Sequence, residues 1–228
     1  RDLRMSRGLG DVYKRQAEAN EAAIKIARKA SGKQEIITFQ NSFHGRTFGS
    51  MSATGQDKIK QGFGEGVPHF SYAIFNDMDS VKALANKETS AIMLELVQGE
   101  SGVQPADKAF VKALSDYCQE TGIYLIVDEV QTGIGRTGKL FAYEHYDIEP
   151  DIFTLAKGLA NGVPVGAMLA KSSLGGAFSY GSHGSTFGGN KLSMAAAKAT
   201  LEVMLTPGFL DTALENGNKL QVKLQEVL

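Results

Sequence analysis

The chain alternates short, uninterrupted apolar runs with longer segments in which apolar residues recur at helical spacing. Unbroken runs lie at residues 123–127 and 152–155, and we predict further strands over residues 35–39, 91–97 and 165–170. Runs of this kind are typical of strands that a parallel sheet buries on both faces. Their alternation with helical segments predicts right-handed crossover connections and a doubly wound α/β fold.

The helical segments have recognisable ends. We expect helices over residues 17–30, 77–85, 107–120, 191–205 and 209–228. Gly32 and Gly122 follow two of these segments in the position of a C-cap, and Pro207 with Gly208 separates the last two. Residues 49–66 are rich in glycine, so we expect an irregular segment there.

Polar residues follow two of the predicted strands, and their chemistry indicates a site. Asp128 and Glu129 come directly after residues 123–127, and Lys157 follows residues 152–155. Because strands of an open α/β sheet end at one crevice, we expect Asp128 and Lys157 to face each other there. A lysine that forms a Schiff base and a carboxylate beside the ring nitrogen suit pyridoxal phosphate. The simpler alternative is a polar strand end and a surface lysine.

The composition narrows the classes of partner and compartment. With 228 residues the chain can form one large domain or two small ones, and its net charge of -1 favours neither nucleic acid nor an anionic membrane. No run reaches the roughly 18 apolar residues of a membrane span. The single cysteine, Cys118, excludes an intramolecular disulfide, and the histidines lack metal-ligand spacing. We therefore expect a cytoplasmic protein without a metal site.

The loop between these two strands contains two nucleotide-binding patterns. Residues 133–138 match Gly-x-Gly-x-x-Gly of dinucleotide-binding folds, and residues 133–139 match Gly-x-x-x-x-Gly-Lys of ATPase phosphate loops. The first pattern requires its glycines at the turn from strand to helix, whereas residues 128–132 intervene here. The second requires a hydroxyl for magnesium where Leu140 stands. Both matches are weak, and an ATPase is the rival function from another class.

Further motifs occur in order along the chain. They are Ala17-Glu-Ala-Asn-Glu-Ala-Ala, Phe43-His-Gly-Arg-Thr, Val97-Gln-Gly-Glu, Val127-Asp-Glu-Val-Gln-Thr-Gly-Ile-Gly-Arg-Thr-Gly, Leu155-Ala-Lys-Gly-Leu and Gly184-Ser-Thr-Phe-Gly-Gly-Asn. Together they resemble the class III aminotransferases, which depend on pyridoxal phosphate. The resemblance covers nearly all of the chain after residue 16. It implies the large domain of a fold type I enzyme, with a mostly parallel sheet of about seven strands flanked by helices.

The resemblance implies which residues hold the cofactor ring. Lys157 would form the Schiff base and then move the proton during transfer, and Asp128 would pair with the pyridinium nitrogen. Gln131 would bond to the ring hydroxyl. Phe43 would stack on the ring face, and His44 would shape the pocket around it.

The resemblance also implies residues for the substrate and for the cofactor phosphate. Arg46 would bind the substrate's α-carboxylate through two hydrogen bonds from its planar guanidinium group, and Glu100 would contact the distal amine or an arginine. The amide of Ala17 at a helix start would face the phosphate. Ser185 and Thr186 would bind the phosphate of the neighbouring subunit, which implies a homodimer.

Residues 139–146 are most similar to the members of this family that act on N-acetylornithine. The resemblance therefore implies transfer of an amino group from N-acetylornithine to 2-oxoglutarate, in arginine biosynthesis. Alternative amino donors are ornithine, 4-aminobutyrate and succinylornithine. An inactive fragment is a further alternative.

The expected division of the chain has three parts. Residues 1–16 are basic and lack apolar periodicity, and residues 11–16 resemble a translated transposon end used in preparing sequencing libraries. We expect residues 1–16 to be non-native, residues 17–205 to form the domain that binds pyridoxal phosphate, and residues 206–228 to begin a helix leading to a further small domain. Gln16 stands where the family usually has glycine, which puts phosphate binding in doubt. We expect truncation at both ends.

Overall fold

A computed structural model describes residues 15–227 and contains a six-stranded sheet. The strands are β1 (Glu35–Phe39), β2 (Phe70–Ala73), β3 (Thr89–Leu94), β4 (Val97–Gln98), β5 (Gln104–Pro105), β6 (Tyr124–Asp128), β7 (Ile152–Leu155) and β8 (Ala167–Ala170). The large sheet has the order β2-β1-β3-β6-β7-β8, and β4 pairs with β5 separately. Pairing is parallel from β2 to β7, and β8 joins β7 in the antiparallel direction.

The helices are α1 (Gln16–Ser31), α2 (Phe48–Ala53), α3 (Asp57–Lys60), α4 (Met78–Leu84), α5 (Lys108–Thr121), α6 (Lys191–Met204) and α7 (Phe209–Gln225). Three clusters of buried apolar side chains lie against the sheet, and two of them include residues of α5 and α1. One includes Phe110, Val111 and Leu114 of α5, and the other includes Ile24 and Ile26 of α1. The mostly parallel α/β fold is confirmed.

The helix ends follow the sequence signals closely. Gly32 ends α1 with φ 71° and donates its N–H to the carbonyl of Arg28, and Gly122 follows α5 with φ 70°. Both glycines adopt the left-handed conformation that their C-cap position favours. The predicted strand over residues 91–97 is shorter, because Val97 and Gln98 leave the sheet and pair with Gln104 and Pro105.

The prediction of an irregular segment over residues 49–66 was wrong for residues 49–53 and 57–60, where α2 and α3 lie, and residues 61–66 are irregular as expected. The start of α2 depends on α1. Glu21 accepts the N–H of Ser50 at 2.9 Å, and a Cβ on Gly49 would lie 2.3 Å from the same carboxylate. A helix start that is satisfied by a distant side chain leaves no local signal.

One strand of the sheet was not predicted from the sequence. No residue pattern indicated β2, a short strand at the sheet edge whose first three residues are only half-buried. We expected about seven strands in the sheet, and the described residues supply six. The predicted non-native segment, residues 1–16, lies outside the described residues except for Arg15 and Gln16.

Candidate active site

The site lies where three neighbouring strands end. Glu95 directly follows β3, Asp128 is the last residue of β6, and Lys157 follows β7 after Ala156. Because β3, β6 and β7 are parallel neighbours, their carboxyl ends meet at one edge of the sheet. Lys157 has φ 38°, a strained conformation for a residue with a side chain.

The carboxylate of Asp128 is buried and held from several sides. Its Oδ2 lies 2.8 Å from Nδ1 of His44 and accepts the side-chain amide of Asn20 at 2.8 Å. Its Oδ1 accepts the backbone N–H of Val130 at 3.0 Å. Thr154 donates to Oδ1 of Asn20 at 2.7 Å and thereby fixes the orientation of that amide. These contacts fix the orientation of the carboxylate at the sheet edge.

His44 is fully buried and links the loop after β1 to Asp128. Burial by itself lowers the pKa of His44, but the hydrogen bond and the charge of Asp128, with a further contribution from Glu95, raise it overall. Within the described residues, Nε2 of His44 has no hydrogen-bond partner. A buried ring nitrogen without a partner is costly, so its presence needs an explanation such as a functional role.

Lys157 and Gln131 meet at this edge. Nζ of Lys157 donates to Oε1 of Gln131 at 2.7 Å. The backbone of Gly99 lies close to the same amide, since a Cβ on Gly99 would lie 2.2 Å from Nε2 of Gln131. A glycine at position 99 therefore leaves room for the side chain that contacts the lysine.

Phe43 and Arg46 lie on the loop that also carries His44. The ring of Phe43 is buried, and the guanidinium carbon of Arg46 lies 5.8 Å from its centre. This is the distance range of a cation–π contact. Arg46 itself is exposed. The loop thus places the ring of Phe43 next to the planar, positively charged guanidinium group of Arg46.

The start of α1 lies against the same loop. Gln16 is buried and donates its side-chain amide to the carbonyl of Phe43 at 3.3 Å. Ala17 packs against Gly45, where a Cβ would lie 2.9 Å from that of Ala17. The first amides of α1 therefore lie next to the loop, where a helix N-terminus favours an anion.

Three of the predicted site residues lie on the surface. Glu100, Ser185 and Thr186 are exposed. Ser185 lines a separate cavity of about 280 Å³ between α1 and the segment that precedes α6. A residue that acts on a neighbouring subunit is expected to lie apart in a single chain, so this placement leaves the prediction for Ser185 and Thr186 untested.

The glycine loop forms no phosphate cradle in the structure. The N–H groups of Gly133, Gly135 and Gly138 donate to carbonyls of residues 129–140. A Cβ on Gly135 would lie 2.1 Å from Met204, and one on Gly138 would lie 3.0 Å from Leu214. The glycines therefore allow close packing beneath α6 and α7. This arrangement counts against the ATPase alternative.

Between residues 15 and 227, no cluster of three or more histidine, cysteine, aspartate or glutamate side chains is arranged to hold a metal ion. None of the helices in that part of the chain combines the length and the apolar character needed to cross a membrane.

Comparison with known proteins decides the family. The family model described as aminotransferase class III matches residues 14–228. The chain belongs to the class III aminotransferases. A curated class III relative, the acetylornithine aminotransferase of Streptococcus mutans, is 74% identical over 212 residues, which are 93% of this chain and 56% of the relative. The chain thus spans about half the length of that relative.

Solved structures of aminotransferases share the fold. The ornithine aminotransferase of Toxoplasma gondii has a TM-score of 0.88 at 34% identity, over 93% of this chain and 53% of that one. The taurine:2-oxoglutarate aminotransferase of Bifidobacterium kashiwanohense, solved with PLP and glutamate, has a TM-score of 0.85 at 28% identity, over 92% of this chain and 53% of that one.

Three residues of the site were missed by sequence reasoning. Asn20 and Thr154 lie within predicted elements, where nothing marks them as partners of Asp128. Glu95 carried a signal, because it is an acid within the apolar run 91–97. A charged residue inside a buried strand is rarely tolerated without a partner. This signal could have identified Glu95 as a candidate site residue.

Proposed function

We propose that this protein transfers an amino group from N-acetylornithine to 2-oxoglutarate with pyridoxal phosphate as cofactor. The observation that supports this most is the buried Asp128 at the end of β6, beside the pair formed by Lys157 and Gln131. Membership of the class III aminotransferases and the 74% identity to an acetylornithine aminotransferase support the reaction and the amino donor. Because the chain spans about half of that relative, activity is proposed for the product of the complete gene.

The residues at the sheet edge fit this cofactor. Asp128 would hold the ring nitrogen, Gln131 the ring hydroxyl and Phe43 the ring face. Lys157 would hold the aldehyde carbon, and the first amides of α1 at Ala17 would face the phosphate. His44 places one ring nitrogen on Asp128 and leaves the other buried and without a partner in the described residues, which fits a polar group that arrives with the cofactor.

The chain's own groups would orient the substrate and move the proton. When bound, pyridoxal phosphate supplies an electron sink for the pair that remains when a proton leaves the substrate carbon. Nζ of Lys157 would carry that proton. Oε1 of Gln131 would orient Nζ by accepting its hydrogen bond at 2.7 Å. Arg46 would bind the substrate carboxylate, and Glu100 would face its distal end.

Cofactor binding tests the central claim. We expect the purified chain to gain the absorbance of bound pyridoxal phosphate and borohydride to fix the cofactor on the peptide that contains Lys157. Lys157→Ala should abolish the fixation, whereas Lys171→Ala, which removes a half-buried lysine paired with Asp151, should keep it. Fixation that survives Lys157→Ala, or that never occurs in the wild-type chain, would refute the assignment.

Turnover of different amino donors tests the substrate. We expect the product of the complete gene to use N-acetylornithine in preference to ornithine, 4-aminobutyrate and succinylornithine. A strong preference for one of these other donors would overturn the choice of substrate and keep the aminotransferase chemistry.

Assembly, compartment and domain division are part of the same proposal. Ser185 and Thr186 lie exposed on one loop, so we propose that they serve the cofactor phosphate of a second copy in a homodimer. We further propose a cytoplasmic location, and a cofactor domain over residues 17–205 followed by a linking helix over residues 206–228. Sedimentation of the complete gene product as an active monomer would refute the dimer.

A further inference from the structure

The dipeptide Phe43–His44 is held by four side chains, two from α1, one from the residue that follows α2 and one from the residue that follows β3. The N–H of Phe43 donates to Oε2 of Glu95 at 2.8 Å, and its carbonyl accepts the amide of Gln16. The N–H of His44 donates to Oγ1 of Thr54 at 2.9 Å, and its carbonyl accepts the amide of Asn20 at 2.6 Å. Both peptide groups lie outside the strand ladders, so these side chains decide where the Phe43 ring and the imidazole lie.

Glu95 is the only one of these four anchoring side chains that can carry a charge. It is 5% exposed and stands between Leu94 and Leu96, which are both fully buried. An apolar residue would fit this buried position after β3 better, because burying a carboxylate is costly. Packing therefore does not explain an acid at position 95. The hydrogen bond that its carboxylate accepts from the N–H of Phe43 does explain it.

The charges that face Glu95 come from three elements of the site. They are His44 on the loop after β1, Asp128 on β6 and Lys157 after β7. Burial raises the pKa of Glu95 to about 7, with Asp128 acting in the same direction and with His44, the N–H of Phe43 and Lys157 acting against it. The net effect is a pKa of Glu95 well above its ordinary value.

We propose that Glu95 is a positioning residue that sets the Phe43 ring against the cofactor and holds it more firmly when its carboxylate is ionised. A charged acceptor forms a stronger hydrogen bond with a backbone N–H than a neutral acceptor does. The ring is thus fixed through its own peptide group, at a distance from the reacting atoms. The part that concerns the cofactor rests on the proposed function, and the part that concerns the Phe43 backbone does not.

The variants separate charge from hydrogen bonding. Glu95→Gln keeps an acceptor of the same size and removes the charge, whereas Glu95→Ala removes both. Glu88→Gln is the matched control, because Glu88 is an exposed carboxylate immediately before the other end of β3. Hydrogen-exchange protection of the Phe43 amide is measured by NMR without cofactor, from about pH 5 to about pH 9, and the Kd for pyridoxal phosphate is measured over the same range.

In the wild-type chain and in Glu88→Gln, we expect protection of the Phe43 amide to rise as the pH passes about 7. Glu95→Gln should keep protection without this rise. Glu95→Ala should lose about tenfold or more in protection and bind pyridoxal phosphate about tenfold more weakly.

Several outcomes would overturn the inference. One is that the Phe43 amide of Glu95→Ala is as well protected as in the wild-type chain. Another is that the protection of this amide still rises with pH in Glu95→Gln. A third is a loss of protection in Glu95→Ala with unchanged Kd, which would show that the Phe43 position does not govern the cofactor. If the wild-type chain binds no pyridoxal phosphate, the proposed function fails, and the amide exchange still decides whether Glu95 holds Phe43.

Discussion

Nδ1 of His44 lies 2.8 Å from Oδ2 of Asp128, and both side chains are enclosed by the protein. Two charged groups in such a place stabilise each other only as long as both are present, because each alone would leave a buried charge without compensation. The pair joins the loop after β1 to the end of β6, and it connects the candidate cofactor loop to the sheet. Its electrostatics can be measured directly.

The first prediction concerns the pKa of His44. Asp128→Asn removes the charge that raises this pKa and leaves the burial that lowers it. We therefore expect the pKa of His44 to fall below its ordinary value of 6.5 in the variant. An NMR titration of the imidazole protons measures it. Asp116→Asn, on the exposed side of α5, is the control and should leave the titration unchanged.

The same pair has a consequence for stability as a function of pH. A histidine whose pKa is raised on folding contributes stability that is complete below its ordinary pKa and is lost as the pH rises through the raised value. The free energy of unfolding of the wild-type chain should therefore exceed that of Asp128→Asn most at mildly acidic pH, and the difference should shrink as the pH rises. Urea unfolding at several pH values measures this difference. A difference that grows with pH would contradict the assigned pair.

Sequence patterns predicted the sheet edge well and its internal contacts poorly. The uninterrupted runs before Asp128 and Lys157 marked both strand ends, because burial on both faces excludes polar residues. The partnership of Asn20 with Asp128 joins residues that are far apart in sequence, and no local pattern encodes such a contact. The edge strand β2 and the helix α2 were missed for a related reason, since neighbours in space supply what their own sequences lack.

The second prediction compares two buried threonines in the sheet, Thr154 on β7 and Thr38 on β1, both of which are fully buried. Thr154 donates to Asn20, whereas the hydroxyl of Thr38 has no hydrogen-bond partner among the described residues. Thr154→Val should cost about 1–3 kcal/mol, because it leaves the Asn20 carbonyl unsatisfied. Thr38→Val should be neutral or stabilise the chain by about 1 kcal/mol.

Chemical denaturation of both threonine variants provides the measurement. The two substitutions remove the same hydroxyl from the same kind of environment, so each serves as the control for the other. Equal losses of stability would show that the hydrogen bond from Thr154 to Asn20 has no net effect on the free energy of unfolding.

The third prediction concerns the backbone of Lys157, whose φ of 38° is unfavourable for any residue with a Cβ. Lys157→Gly and Lys157→Ala both remove the amine and its contacts. Only glycine also relieves the backbone strain, so we expect Lys157→Gly to be more stable than Lys157→Ala by about 1 kcal/mol. Thermal unfolding compares the two variants. Equal stability would mean that the backbone at this position is not strained.

The fourth prediction concerns Gly45, the residue in the loop after β1 that packs against the start of α1. A Cβ there would lie 2.5 Å from Oγ of Ser50 and 2.9 Å from the Cβ of Ala17, at a φ of 135°. Gly45→Ala must therefore displace the start of α1, and we expect it to cost about 3 kcal/mol from overpacking and backbone strain together.

Gly102→Ala is the matched control for Gly45→Ala. Its φ of 102° is also unfavourable for alanine, but nothing lies within 4 Å of the added Cβ. We expect it to cost about 1 kcal/mol, from strain alone. Urea unfolding of both variants gives two losses of stability, and their difference is the cost of the steric clash at position 45. Because the displaced segment carries the amides that would face the cofactor phosphate, Gly45→Ala should also weaken pyridoxal phosphate binding, whereas Gly102→Ala should not. Equal losses of stability would show that α1 yields to the added methyl group without cost.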